Sequence, residues 1–178
     1  MAIRCEAIAF LTVTAFAVPA GTLTGQYLGA RRPDLAGRAA RISWAMGCLI
    51  LAALGVLLFT QAGPMFRIFL GGGKPAVSEA GVPVLRIVAF GMPALATINV
   101  LSGALRGAGD TRWPWLFAAI GYLGIRLPLT YVLARPETSG AWAFGLQGAW
   151  LAMLVDLYVR GALYAARFQG GRWREATV

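Results

Sequence analysis

The sequence predicts an all-α integral membrane protein with about five transmembrane helices. Composition, apolar runs and the placement of charge all indicate this fold class. Hydrophobic residues make up 58% of the 178 residues and charged residues only 13%, whereas soluble domains average about 25% charged. So few charged residues cannot cover a surface that faces water. The mean hydropathy of +0.68 agrees.

Five apolar runs are long enough to cross a bilayer. A helix rises about 1.5 Å per residue and the hydrocarbon core is about 30 Å thick. The runs are continuous rather than alternating, which excludes the strands of a membrane barrel. The predicted spans are 7–28, 42–66, 84–105, 113–134 and 141–166, followed by a basic tail over 167–178.

The arginines between these runs predict the orientation. Nine basic residues fall in connections on one side of the bundle, namely Arg31, Arg32, Arg38, Arg41, Arg106, Arg112, Arg167, Arg172 and Arg174. Four fall on the other, namely Arg4, Arg67, Lys74 and Arg135. Short connections rich in positive charge stay in the cytoplasm. The N-terminus is therefore predicted outside and the C-terminus in the cytoplasm, in a bacterial inner membrane.

The same placement of charge identifies the partner. In a soluble domain, a net charge of +9 would suggest nucleic acid. Here the charges flank apolar runs, so the headgroups of the lipid bilayer are the expected counterions and no nucleic acid is expected.

The N-terminus allows a second interpretation. Arg4, the apolar stretch 7–18 and the small residues around Ala20 resemble a secretory signal peptide. However, the apolar character continues past Ala20, and four arginines follow the run. These features favour a membrane span.

No arrangement of residues supports catalysis or a cofactor. The chain has no His, no Gly-x-Ser-x-Gly elbow and no paired carboxylates, so it lacks the groups for a general base or a metal site. Cys5 and Cys48 are too few for a disulfide framework. We expect neither an enzyme nor a bound metal.

Charged residues inside the spans are the first candidates for function, because an ionised side chain at mid-bilayer costs about 2.5–3.5 kcal/mol on insertion scales. Asp156 and Arg160 are one helical turn apart, a spacing that predicts an ion pair. Helical rise places Arg126 near the level of Gln147, so Arg126 is predicted to bond Gln147 or carbonyls loosened by Pro128. Asn99 is a further candidate for contact with a substrate. Structural anchoring remains an alternative for these residues.

Proline and glycine give the spans a second pattern. Pro19, Pro93 and Pro128 each remove a backbone donor, which predicts kinks. Such kinks often line a transport cavity, and a packed kink with no ligand is the alternative for each of them. Glycines recur every fourth residue in the first span, and two glycines in the third span repeat this spacing. This pattern predicts close helix packing. The glycines are Gly21, Gly25, Gly29, Gly103 and Gly107.

A ten-residue string between the third and fourth spans predicts a tight connection. Gly107 and Gly109 suit a helix C-terminus, Asp110 an N-cap, and Pro114 the first turn of the next helix. Arg106 and Arg112 would anchor this loop at the membrane surface. The string consists of Leu105, Arg106, Gly107, Ala108, Gly109, Asp110, Thr111, Arg112, Trp113 and Pro114.

These motifs together resemble the multidrug and toxic compound extrusion (MATE) family. Their order in the chain is Gly25-Gln26, Leu28-Gly29-Ala30, Arg31-Arg32-Pro33-Asp34, the string Leu105 to Arg112 with Pro114, Arg126-Leu127-Pro128, Gly148-Ala149-Trp150, Asp156 and Arg160. The string Leu105 to Arg112 is the most specific of them.

The resemblance implies two six-helix lobes around a central cavity, which exchange Na⁺ or H⁺ for organic cations or drugs. This chain is similar to the last five helices of the second lobe, so the resemblance implies a missing N-terminal lobe as partner. Certain members carry an acidic residue in the helix that corresponds to 84–105, and this chain has none there. A truncated or non-transporting fragment, inactive alone, is the alternative.

Overall fold

The computed structural model describes residues 2–65, 75–134 and 145–175, and no strand occurs in these ranges. They form five long helices: α1 (Ala2–Gly29), α2 (Pro33–Thr60), α3 (Pro75–Gly107), α4 (Arg112–Leu133) and α5 (Gly145–Gln169). A short 3₁₀ turn over Arg172–Glu175 follows α5. The predicted all-α class is confirmed.

Four of the five helices are long and apolar enough to cross a membrane within the described residues: α2, α3 from Gly81 onwards, α4 and α5. Helix α1 is not compared in the same way, because the side chains of its first residues, up to Phe10, lie outside the described residues. The predicted span 7–28 nevertheless lies within one continuous helix, in which Pro19 leaves no break. Phe66 and residues 141–144 of two predicted spans lie outside the described residues.

Glycines join α1 to α3, as their spacing predicts. A Cβ atom at Gly21 would lie 2.9 Å from the carbonyl oxygen of Gly103, and one at Gly25 would lie 2.9 Å from that of Gly107. A Cβ at Gly103 or Gly107 would collide with a carbonyl of α1. The two backbones therefore touch along this glycine seam, which any side chain would separate.

Helix α3 lies at the centre of the bundle and packs against α1, α2 and α5. In the apolar, membrane-spanning stretch of α3, 61% of the residues are buried inside the bundle, whereas only 11% are buried in that of α4. Helix α4 exposes large apolar side chains such as Trp115, Leu123 and Leu127. Such a surface suits lipid or further helices rather than water.

The arginine-bearing connections meet at one end of the bundle. The guanidinium of Arg167, at the end of α5, lies 2.9 Å from the carboxylate of Asp110 in the α3–α4 connection. Trp173 is fully buried and stacks on Phe168, while a Cβ at Gly37 of α2 would lie 3.2 Å from Nη2 of Arg174. The first part of the predicted tail therefore packs on the bundle. Its cytoplasmic position remains a prediction.

The four basic residues predicted on the opposite side cannot be compared in the same way. The side chains of Arg4, Arg67, Lys74 and Arg135 lie outside the part of the chain that the structure describes.

Candidate functional site

A buried ion pair on α5 forms the centre of the candidate site. Nε and Nη2 of Arg160 donate to the two carboxylate oxygens of Asp156 at 2.7 and 2.5 Å. Asp156 is fully buried and Arg160 is 5% exposed. The predicted pair is thus confirmed. Its two-point geometry is the strong form of such a contact.

Helix α4 forms one wall of this pair at Gly121. A Cβ atom there would collide with the Asp156 carboxylate and with the Arg160 side chain. Gly121 lies in a π-helical segment, Ile120–Arg126, in the middle of α4. Because π-helical turns inside α-helices occur frequently at functional sites, this segment supports the ion pair as a candidate functional site. Sequence reasoning missed Gly121, because no local pattern shows which neighbour a glycine will meet.

The Tyr122 ring contacts two guanidinium groups. Its ring centroid is 4.4 Å from Cζ of Arg160 and 5.7 Å from Cζ of Arg126, both within the range of a cation–π contact. Sequence reasoning missed Tyr122 as well, although its position one turn before Arg126 was a usable signal. The ring is half-exposed and connects the ion pair to the second intramembrane arginine.

The predicted contact of Arg126 with Gln147 is wrong. Among the described residues, Arg126 forms no hydrogen bond to Gln147 or to the carbonyls near Pro128, and contacts the Tyr122 ring instead. The reason is the level at which α5 begins. A Cβ at Gly148 would collide with the carbonyl of Leu133, so Gln147 lies near the end of α4. Leu133 is about 10 Å along the helix from Arg126.

The backbone at Pro128 and Pro93 is accommodated in two different ways. Before Pro128, the π-helical segment continues to Leu127, whose N–H bonds the carbonyl of Tyr122. At Pro93, the freed carbonyl belongs to Ala89, and α2 approaches it so closely that a Cβ at Gly55 would lie 2.7 Å away. A neighbouring helix therefore comes unusually close at Pro93, whereas at Pro128 the hydrogen bonding of α4 itself changes.

Polar side chains of α3 are bonded within or next to that helix. Asn99 donates to the carbonyl of Leu95, one turn earlier on α3, at 2.8 Å. Thr97 accepts from the indole N–H of Trp44 on α2 at 3.0 Å and donates to the carbonyl of Pro93 at 3.0 Å. Asn99 thus has an intrahelical partner, and its role in a cavity stays a prediction.

The predicted tight connection has the expected glycine geometry. Gly109 has a φ of 81°, and the N–H groups of Gly109 and Asp110 bond the carbonyls of Arg106 and Leu105. This is the Schellman arrangement that ends a helix at glycine.

The predicted N-cap role of Asp110 is wrong. The N-cap of α4 is Thr111, which makes no side-chain cap bond. The Asp110 carboxylate instead accepts from Nε of Arg167, whose guanidinium also lies 4.9 Å from the Trp113 ring centroid. The Asp110 carboxylate binds Arg167 rather than the first N–H groups of α4, because a charged donor binds a carboxylate more strongly than a backbone N–H does. The loop motif therefore ties α3 and α4 to the end of α5.

Replacing Gly121 with alanine is expected to lower the free energy of unfolding by roughly 1–3 kcal/mol, since overpacking forces the ion pair to shift. Gly124→Ala is the matched control, because the nearest atom to its Cβ lies 4.0 Å away. The control should be neutral or slightly stabilising, as alanine favours helices. Thermal unfolding midpoints in detergent would test this, and equal midpoints for the two variants would contradict the contact.

No group of three or more His, Cys, Asp or Glu residues that could hold a metal ion occurs among the described residues. The site is therefore defined by the ion pair, its glycine wall and the Tyr122 ring. These groups hold two opposite charges together inside the bundle.

Comparisons with known proteins agree with the resemblance in the motifs. The model of the MatE family matches residues 1–132. A probable multidrug resistance protein NorM of Thermotoga maritima is 28% identical over 176 residues, which cover 99% of this chain and 36% of that protein. The multidrug resistance protein NorM of Burkholderia vietnamiensis is 30% identical over 173 residues, covering 94% of this chain and 36% of that protein.

An uncharacterized transporter of Bacillus subtilis, YisQ, is 29% identical over 168 residues, or 92% of this chain and 35% of that protein. The chain thus spans about a third of the length of these curated relatives. No solved structure matches it.

Proposed function

The chain belongs to the MatE family, and we propose that it forms part of a secondary active antiporter that exports organic cations or drugs in exchange for Na⁺ or H⁺. The names of its relatives support drug export. The observation that carries the proposal is the fully buried Asp156–Arg160 pair against the π-helical segment of α4. Ionisable groups inside a membrane typically mark the paths of ions and substrates.

The ion pair supplies a site at which an incoming cation can compete. A proton or Na⁺ at the Asp156 carboxylate would weaken its bond to Arg160, whose guanidinium already lies over the Tyr122 ring. Arg160 would then shift towards this ring and move with α4. Since a ligand shifts a conformational equilibrium through its differential affinity for the two states, this exchange couples the cation to the position of α4.

We assign Asn99, Arg126 and Gln147 as further cavity or ion-path residues in this proposal. Arg126 contacts the same Tyr122 ring as Arg160. Asn99 lies on central α3, half-buried. Gln147 lies near the start of α5.

The proposed partner is an N-terminal lobe supplied by further helices. Alternating access requires two halves that rock against each other, and this chain matches 36% of its relatives' length. The exposed apolar face of α4 suits such a partner or lipid. In the same proposal the N-terminus lies outside and the arginine-rich end faces the cytoplasm.

The test is protection of a drug-susceptible bacterial host by this chain, with and without a co-expressed N-terminal lobe from a relative. We expect protection from a cationic dye only when both parts are present. Asp156→Asn should abolish it at equal membrane abundance, whereas the control Asp34→Asn, at an exposed position, should not. Full protection by Asp156→Asn would overturn the assigned role, and no protection with any lobe would favour the non-transporting fragment.

A further inference from the structure

An apolar groove lies between α2, α3 and α5, outside the site described above. It has a volume of about 400 Å³ and is lined by residues such as Ala52, Phe59, Phe90, Pro93 and Tyr158. Phe59 and Phe90 meet edge to face with centroids 5.4 Å apart. The hydroxyl of Tyr158 donates to the carbonyl of Phe90 at 2.9 Å, so the main polar group of the lining is already bonded.

The groove opens on the outer surface of the bundle. Phe90 is 59% exposed, and α2, α3 and α5 all qualify as membrane spans. The opening therefore lies at the depth of the hydrocarbon region of a bilayer, where lipid tails are the surrounding solvent.

A positive charge stands at one end of this groove. Cζ of Arg86 lies 5.3 Å from the ring centroid of Phe59, a lining residue. Along α3, Arg86 is about 31 Å from Gly107 by helical rise. The hydrocarbon core is about 30 Å thick, so Arg86 lies at headgroup level in the leaflet opposite the arginine-rich end. Pro93 lies about 10 Å deeper.

We propose that this groove binds a phospholipid, with its phosphate on the Arg86 guanidinium and one acyl chain along Phe59 and Phe90 towards Pro93. Arginine is well suited to phosphate because its planar donors can bind two oxygens at once. An organic cation fits poorly, because Arg86 repels it and no carboxylate is among the lining residues. A further protein helix packed in this groove is disfavoured, because it would bury the charge of Arg86. This lipid site is independent of ion or drug transport.

The test is native mass spectrometry of the full chain in detergent, titrated with palmitoyl-oleoyl phosphatidylglycerol. Arg86→Gln should weaken binding about tenfold, the loss expected for one charge-assisted contact. The control Arg38→Gln, an exposed arginine at the other end, should bind as wild type. Diacylglycerol, which lacks the phosphate, should bind weakly and equally to wild type and Arg86→Gln.

A second pair of variants tests the acyl-chain path. Ala52→Phe fills the groove and should also weaken phosphatidylglycerol binding about tenfold. Ala53→Phe places the same ring on the neighbouring, exposed position and should leave binding unchanged. If Ala52→Phe does not accumulate, Ala52→Val serves in its place. Unchanged binding by the groove-filling variant would overturn the proposal and leave the groove to a helix or a drug. Unchanged binding by Arg86→Gln would overturn the phosphate contact.

Discussion

Replacing Gly107 with leucine is expected to prevent the chain from folding into its native bundle. Gly107 has no room for a side chain, because its Cβ would collide with the carbonyl of Gly21. A backbone carbonyl cannot rotate away as a flexible side chain can. The cost should therefore lie at or above the upper end of the roughly 1–3 kcal/mol that overpacking causes, because α1 and α3 must separate along the whole seam.

The matched control is Gly29→Leu, at the end of the predicted glycine stripe of α1. Nothing lies within 4 Å of a Cβ at Gly29, so this variant should behave as wild type. Size-exclusion chromatography of the fluorescently tagged chain in detergent would measure the monodisperse fraction, and thermal stability would follow from the loss of that peak. A Gly107→Leu variant as stable as Gly29→Leu would show that α1 and α3 do not touch at this point.

Asp156→Ala is expected to destabilise the chain by about 3–5 kcal/mol, the usual cost of removing one partner of a buried ion pair. The Arg160 guanidinium would then be left inside the bundle without its carboxylate, and the Tyr122 ring can offset only part of that loss. The measurement is the free energy of unfolding in detergent. Most of the effect comes from the stranded charge rather than from the removed atoms.

Two companion variants separate the stranded charge from general damage. Asp34→Ala removes the carboxylate of an ion pair with Arg32 whose side chains are 65% and 59% exposed. That pair should be worth about 0–1 kcal/mol. The double variant Asp156→Leu with Arg160→Met should recover much of the lost stability, because both charges are gone. If it is as unstable as Asp156→Ala, an unpaired charge is not the cause.

The double variant also separates structure from transport. If Asp156 lies on the ion path, the restored protein should stay inactive when it is co-expressed with an N-terminal lobe. Recovered drug protection would show that the Asp156–Arg160 pair has only a structural role, in the packing of α4 on α5.

Much of the local structure followed from the sequence. The Asp156–Arg160 pair depends on a spacing of four residues within one helix, so no knowledge of the fold was needed. The turn at Gly109 likewise depends on a conformation that glycine adopts freely. The small-residue spacing of α1 and α3 predicted close packing, although it did not show which glycines would meet or that Gly29 would lie outside the seam.

Contacts between helices were harder to predict. Arg126 was placed at the level of Gln147 by counting residues from assumed helix ends, and the start of α5 opposite Leu133 made that level wrong by about two turns. The Asp110 carboxylate was assigned to its own helix terminus, but Arg167 arrives from a helix more than fifty residues later in the chain. Gly121 and Tyr122 gained their importance only when α4 packed on α5.

The sequence by itself determined that the chain lies in a membrane and where its helices run. The length of an apolar run, the placement of arginines and the spacing of glycines and charges are all properties of single segments. The tertiary structure alone decided which side chains share a site. A helix fixes only the level and the direction of each residue relative to its own axis, whereas the partner of Tyr122, Asp110 or Gly107 depends on where a second axis crosses.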